Sequence, residues 1–215
     1  MSSPDYTDIV RFTEAMLREH GDNYLGVGWT KDKKYAHLRY RIMLDVIRPA
    51  GRGPVQLLDF GCGASHLYEY IVAQGISGID YSGLDLSASF LDLSRKKHPH
   101  ITYYQADLMD SRVVIPTFDY IVMNGIFTYK GTLSHDAMLE YWCTLIQRVF
   151  RFARVGLAFN VTSKYVDWER EDLFHLPLEA MASLVTQHLS RNIVIRHDYG
   201  LYEYTVYVYR EPVLA

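Results

Sequence analysis

The sequence predicts an α/β protein: a seven-stranded, mostly parallel sheet with helices on both faces and a C-terminal antiparallel hairpin. Three observations carry this expectation. From residue 55 onward, short apolar runs alternate with helical patterns. The punctuation between them is Gly and Pro, from Pro49 and Pro54 at the start to Pro99 after the second helical stretch. The last run, 192–210, contains two β-rich pieces around Asp198-Tyr199-Gly200, too close together for a parallel crossover, so they must pair antiparallel.

The elements follow in order. Residues 1–20 carry a helical beat at Ile9, Phe12, Met16 and Leu17, and a glycine-rich break, NYLGVGW, ends it. Residues 33–47 read as an amphipathic helix. Strands are expected at 55–60, 81–86, 101–105, 118–123 and 155–161. Helices are expected at 64–74, from Ser87 through Lys97, at 134–150 and at 178–189, with Ser87 as an N-cap. In the terminal hairpin Tyr202, Tyr204, Val206 and Val208 should share one face, and Leu201, Glu203, Thr205, Tyr207 and Tyr209 the other. The tyrosines there are expected to pack within the sheet.

Composition narrows the function. A chain of 215 residues fits one domain, divided here into an N-terminal helical cap (1–50) and a main unit (51–215). The net charge of −3 is a poor match to an autonomous nucleic-acid binder. Two cysteines, Cys62 and Cys143, exclude a disulfide framework and suit a reducing cytoplasm. No secretory leader or membrane span is visible, so a cytoplasmic protein with no membrane partner is expected.

The sharpest local signal is Leu58-Asp59-Phe60-Gly61-Cys62-Gly63-Ala64-Ser65, where a buried strand should turn into a helix. Glycines at such a turn let a ligand approach the backbone. Asp85, at the end of the next strand, is placed to accept from both hydroxyls of a ribose. A dinucleotide site would need a third glycine where His66 stands, which argues against a nicotinamide dehydrogenase. Asp59 would repel a pyrophosphate but suits a ligand with an amino group or a sulfonium. The combination points to S-adenosylmethionine.

LLDFGCGASHL, GLDLS (83–87), QADLMD (105–110) and FDYIVMNGIF (118–127) resemble, in order, the first four motifs of the class I S-adenosylmethionine-dependent methyltransferases. The resemblance spans roughly residues 24–210 and implies a Rossmann-like fold. Ser65 departs from the family pattern, in which many members have a third glycine. GVGW and the tyrosine-rich tail look like a bacterial branch of the superfamily. The resemblance implies that Asp59, Gly61, Cys62 and Gly63 line the methionine part, with Cys62 a turn residue rather than a nucleophile. It also implies that Asp85 holds the ribose, Leu86 flanks the adenine, and Asp107 and Leu108 meet the adenine edge. Asn124, Gly125 and Ile126 would lie beside the reactive methyl. Arg39 either pairs with the cofactor carboxylate or is a surface arginine.

Methyl transfer from a sulfonium needs alignment, exclusion of water and, for a hydroxyl acceptor, a base. It needs no metal, and no ligand cluster is evident. His135, His175 and His197 follow strand ends. His175 is taken as the base, with Tyr129 as a second catalytic candidate and Tyr129 and Tyr165 as acceptor-pocket walls. Trp29 either closes the pocket or packs in the core. Asn124-Gly125-Ile126-Phe127 lacks the [DN]-P-P-[YF] signature of amino-methyltransferases acting on bases or on protein glutamine. A small-molecule acceptor, methylated at oxygen, is the expectation. The alternative is a cofactor-binding protein that regulates or interacts without turnover. An aminopropyltransferase would need an acidic polyamine groove that the sequence does not reveal.

Overall fold

The computed structural model describes residues 6–49 and 53–213. Parts of the expected loop at 49–54 therefore lie outside the described residues. Two helices come first, α1 (Thr7–His20) and α2 (Lys33–Leu44). The alternating region follows as β1 (Val55–Phe60), α3 (His66–Ala73), β2 (Ile79–Asp85), α4 (Ala88–Lys97), β3 (Thr102–Gln105) and β4 (Phe118–Phe127). Then come α5 (His135–Phe150), β5 (Ala153–Ser163), β6 (His175–Leu176), α6 (Leu178–His188), β7 (Asn192–Arg196) and β8 (Glu203–Tyr209). Side-chain caps start several helices: Ser87 accepts from the Phe90 N–H at 3.3 Å and Ser134 from the Ala137 N–H at 3.1 Å.

The sheet runs β3-β2-β1-β4-β5-β8-β7, with the two-residue β6 paired to β5. Pairs among β1 to β5 are parallel, and β8 is antiparallel to both β5 and β7. This is the expected architecture. The strand order reverses between β1 and β4, and such a switch point opens a crevice at the carboxyl ends of those strands.

Strand alternation splits the core. Leu58, Leu84, Ile121, Phe159 and Val206 pack under α5 and α6, against Trp142, Ile146, Met181 and Val185. Leu57, Tyr81, Val122, Ala158 and Tyr207 pack on the other face against Tyr40 and Met43 of α2 and Leu67 and Ile71 of α3. So α2 is part of the core, and α1 has no buried residue.

The tyrosines of β8 have a physical purpose. Tyr204 donates to the Leu176 carbonyl at 3.0 Å, Tyr207 to that of Ile42, and Tyr209 to that of Val46 at 3.0 Å. The phenol fills the core while its hydroxyl meets a carbonyl, including that of Ile42 in the last turn of α2, where the Arg41, Met43 and Leu44 carbonyls accept from the Asp45, Val46 and Ile47 N–H groups.

Three differences from the expectation go beyond a shift of two or three residues at an element's end. β4 continues beyond Met123 to Phe127, because a bulge at Gly125 (φ +79°) lets the strand resume pairing, Phe127 with Val161. β6 has only two residues, too short for a periodic signal. The hairpin strands are joined by residues 197–202 rather than by Tyr199-Gly200 alone, and Tyr202 lies outside β8 and is exposed.

Candidate functional site

A cavity of about 190 Å³ opens at the switch point, bordered by the carboxyl ends of β1, β2 and β4, by α1 and by the 21–29 loop. Its floor is the β1–α3 turn. Gly61 (φ +75°), Gly63 (φ +51°) and Ser65 (φ +62°) are all left-handed. Ser65, the departure from the glycine pattern, accepts that strained conformation; it is fully buried and its hydroxyl bonds Tyr103 at 2.9 Å. The turn is clamped from below, since the N–H groups of Gly61 and Cys62 donate to the Leu84 carbonyl at 2.7 and 2.9 Å. A Cβ on Gly61 would stand 2.9 Å from Ile126 Cδ1, a side-chain end that would have to shift, and the left-handed φ adds to the preference for glycine.

Two carboxylates face this turn. Asp85 Oδ2 accepts from the Gly63 N–H and Oδ1 from the Ser87 N–H, each at 2.9 Å. Burial pushes its pKa up, and the backbone N–H bonds only partly offset that. Asp59 is 4% exposed and accepts from the Tyr81 hydroxyl at 2.7 Å. Burial raises it from its ordinary 3.8 to about 7, against the effect of that bond. Both are acids held in a cavity wall with little compensation, which favours a ligand bearing positive charge or hydroxyl donors.

At the end of β4, Asn124, Gly125 and Ile126 line the cavity. The Asn124 side-chain Oδ1 and Nδ2 are buried and, among the described residues, have no hydrogen-bond partner. The Gly125 N–H donates to Asn160 Oδ1 at 2.7 Å, and Asn160 Nδ2 donates to Glu203 Oε1 at 3.0 Å. The Trp29 ring lies against Gly125, with Nε1 3.1 Å from where a Cβ would be.

Of the residues singled out from sequence, Asp59, Gly61, Cys62, Gly63, Asp85, Leu86, Asn124, Gly125, Ile126, Trp29 and Tyr129 all border this one cavity. Asp107 and Leu108 do not. The Tyr6 hydroxyl donates to Asp107 Oδ2, and Tyr6 and Tyr141, stacked 5.0 Å apart, form the cavity wall there. Leu108 is buried in the core.

Three expectations need correction. Arg39 is neither at the cavity nor a free surface residue. Its guanidinium grips the Glu203 carboxylate through Nε at 2.9 Å and Nη2 at 2.8 Å. His175 is not an available base, because it sits on β6 with both ring nitrogens committed. Nδ1 is 2.7 Å from the Ser163 carbonyl, and Nε2 accepts from the Arg170 N–H at 3.1 Å. These contacts tie the 164–174 segment to β5. Tyr165 is 62% exposed and reaches Glu179, away from the cavity. The other histidines considered are also elsewhere: His135 Nε2 contacts the His175 carbonyl and His197 packs beside Tyr165 and Tyr204.

Sequence reasoning missed three cavity features. Phe12 of α1 stacks on Tyr129 at 4.1 Å, and Tyr6 closes the Tyr141 side. His66 lines the cavity next to the glycine turn, with its partner Asp22 far away in sequence. The helical beat of α1 signalled an apolar face, but nothing local said that this face covers a ligand site.

A glycine turn after the first strand, an acid ending the second and a crevice at the strand switch define a nucleoside-cofactor α/β enzyme. The residues present suit S-adenosylmethionine: a cradle that a Cβ would fill, a buried acid at Asp59 for a cationic group and an orphaned amide at Asn124. Comparison with known proteins agrees. A methyltransferase-domain family model matches residues 58–146. Rv1506c of Mycobacterium tuberculosis, which is named as a methyltransferase, is 29% identical over 161 residues, 72% of this chain and 93% of its own. Among solved structures, magnesium protoporphyrin IX methyltransferase (ChlM) of Synechocystis PCC 6803 with bound S-adenosylmethionine aligns with TM-score 0.61 at 14% identity, over 97% of this chain and 95% of that one. A TehB-like methyltransferase of Corynebacterium glutamicum aligns with TM-score 0.56 at 15% identity, over 95% of this chain and 97% of that one. Together these likenesses support a class I S-adenosylmethionine-dependent methyltransferase. No described helix is long and apolar enough to cross a membrane.

Proposed function

We propose that this methyltransferase acts on a small-molecule acceptor and transfers the methyl group to an oxygen. The observation that carries the reading is the cavity itself: the glycine turn, Asp59, Asp85 and Asn124 on one side, closed by Tyr6, Phe12, Trp29 and Tyr129 on the other. When bound, S-adenosylmethionine supplies an activated methyl on a sulfonium. Asp59 would hold its amino group and Asp85 its ribose hydroxyls, through lone pairs not used by Gly63 and Ser87. Cys62 would contribute backbone to the turn, with Leu86 flanking the adenine. For Asp107 to meet the adenine amine beside Leu108, the Tyr6 hydroxyl gives way, one bond to the carboxylate replacing another.

The aromatic wall serves to exclude water and to press a flat or compact acceptor toward the β4 end. With His175 removed from consideration, the Tyr129 phenol is the catalytic candidate retained, as a group that orients the acceptor by hydrogen bonding. Structural neighbours include a magnesium protoporphyrin IX methyltransferase and a plantazolicin methyltransferase. At 13–14% identity these show a shared fold and leave the acceptor to be found by assay. The test is release of S-adenosylhomocysteine on incubation with panels of phenols, alcohols, carboxylic acids and amines. Turnover with an oxygen nucleophile, reduced in Tyr129→Phe, supports the proposal. Turnover confined to amines, or to protein or nucleic acid, refutes it.

A further inference from the structure

His66 is the first residue of α3, borders the cavity and is only 8% exposed. Its Nε2 lies 2.8 Å from Asp22 Oδ1. Its Nδ1 is buried and, among the described residues, has no hydrogen-bond partner. A buried ring nitrogen without a partner costs free energy unless a ligand supplies one.

Asp22, its partner, belongs to a charged cluster. Asp22 Oδ2 is 2.7 Å from Lys97 Nζ, which also contacts Glu69 at 2.6 Å. Two carboxylates thus face one ammonium. The other groups around this cluster are His98, 3.3 Å from Glu69, and Tyr24, whose ring meets His66 edge-on. A ring set between Asp22 and a second carboxylate donates from both nitrogens, Nε2–H to Asp22 and Nδ1–H to the ligand.

A second observation points the same way. Helix α3 has no side-chain cap: Ser65 is left-handed and its hydroxyl is used by Tyr103. The first-turn N–H groups of a helix lack intrahelical partners and carry partial positive charge. Here the first two residues, His66 and Leu67, both border the cavity.

We infer that His66, oriented by Asp22 and aided by the uncapped start of α3, binds the carboxylate at the amino-acid end of the cofactor. This inference rests on the cofactor reading above. It gives a physical reason why Arg39 can be spent on Glu203: the anion is met by N–H donors on a different element.

The test compares two ligands by calorimetric titration of the full chain. S-Adenosylhomocysteine has the amino-acid end, and 5′-methylthioadenosine lacks it. His66→Gln keeps an amide near the Nε2 position and removes the Nδ1 donor. It should weaken S-adenosylhomocysteine by about tenfold or more while leaving 5′-methylthioadenosine within about twofold. His66→Asn, which keeps a donor near Nδ1, should recover part of the loss, and it serves as the second variant if His66→Gln does not fold. Asp22→Asn should show the same ligand selectivity with a smaller loss. Equal weakening of both ligands, or no weakening of S-adenosylhomocysteine, overturns the inference while leaving the cofactor reading intact. Wild-type protein that binds neither ligand overturns both.

Discussion

Asp59 is the residue whose protonation should respond most directly to the ligand. Burial holds its pKa at about 7 in the folded chain against an ordinary 3.8. A cation brought beside it favours the ionised form, so binding S-adenosylmethionine near pH 6 should release close to one proton and near pH 8.5 almost none. Titrations in buffers of different ionisation enthalpy measure this directly. The sign for stability also follows. Because the folded pKa is raised, the contribution of this group is full below about 3.8 and is lost as pH rises through about 7. The ligand-free protein should therefore lose more melting temperature between pH 5.5 and 8.5 than Asp59→Asn does. Equal slopes for the two proteins would rule out a perturbed Asp59. Asp85 is tested by substitution: Asp85→Ala should weaken cofactor binding by about 1.5–3 kcal/mol, the range for a hydrogen bond to a charged group. It should also destabilise the apo protein, because the Gly63 and Ser87 N–H groups lose their acceptor. Unchanged affinity in calorimetry would refute the ribose role.

Between elements, the buried chain Arg39–Glu203–Asn160–Gly125 joins α2, β8, β5 and the β4 bulge. The Glu203 side chain is 6% exposed and that of Arg39 20%. Removing one member of a buried pair leaves the other uncompensated, so Glu203→Ala should cost about 3 kcal/mol in denaturant unfolding, with Glu203→Gln milder. A loss below about 1 kcal/mol would mean the pair contributes no more than a surface ion pair. At the glycine turn, Gly61→Ala combines a left-handed φ with a clash on Ile126, and it should abolish measurable cofactor binding in a chain that still folds. The elements explain what was legible in the sequence. Strands and helices repeat their apolar residues locally, so β1, β2, α4 and α5 could be read to within a few residues. The glycine turn and Asp85 belong to one β-α-β unit, so their spacing carried the site. Arg39, His175 and His66 could not be read this way, because their chemistry is decided by partners brought in by the fold. Arg39 meets Glu203 from 164 positions away, and His66 meets Asp22 from 44. His175 follows an acidic, aromatic insert that looks like a pocket from sequence alone. In the fold that histidine ties the insert to β5 through backbone bonds.

At the scale of the whole molecule, the parallel sheet gathers strand ends from distant sequence into one crevice, and α1 lies across it. Tyr6, Phe12 and Glu14 of this N-terminal region reach Asp107, Tyr129 and Ser87 respectively, so the first helix touches loops following β2, β3 and β4. Ligand binding should therefore stabilise the chain as a unit. S-Adenosylhomocysteine at a hundredfold excess over its Kd should add about 2.7 kcal/mol. For a domain of this size that is a rise in Tm of roughly 5–10 °C. The most direct test of the central claim is calorimetric titration of the wild-type protein with S-adenosylmethionine and, separately, with S-adenosylhomocysteine. The account predicts one site for each at micromolar Kd, about −8 kcal/mol. A folded protein that gives no binding heat and no thermal shift with either ligand would contradict it.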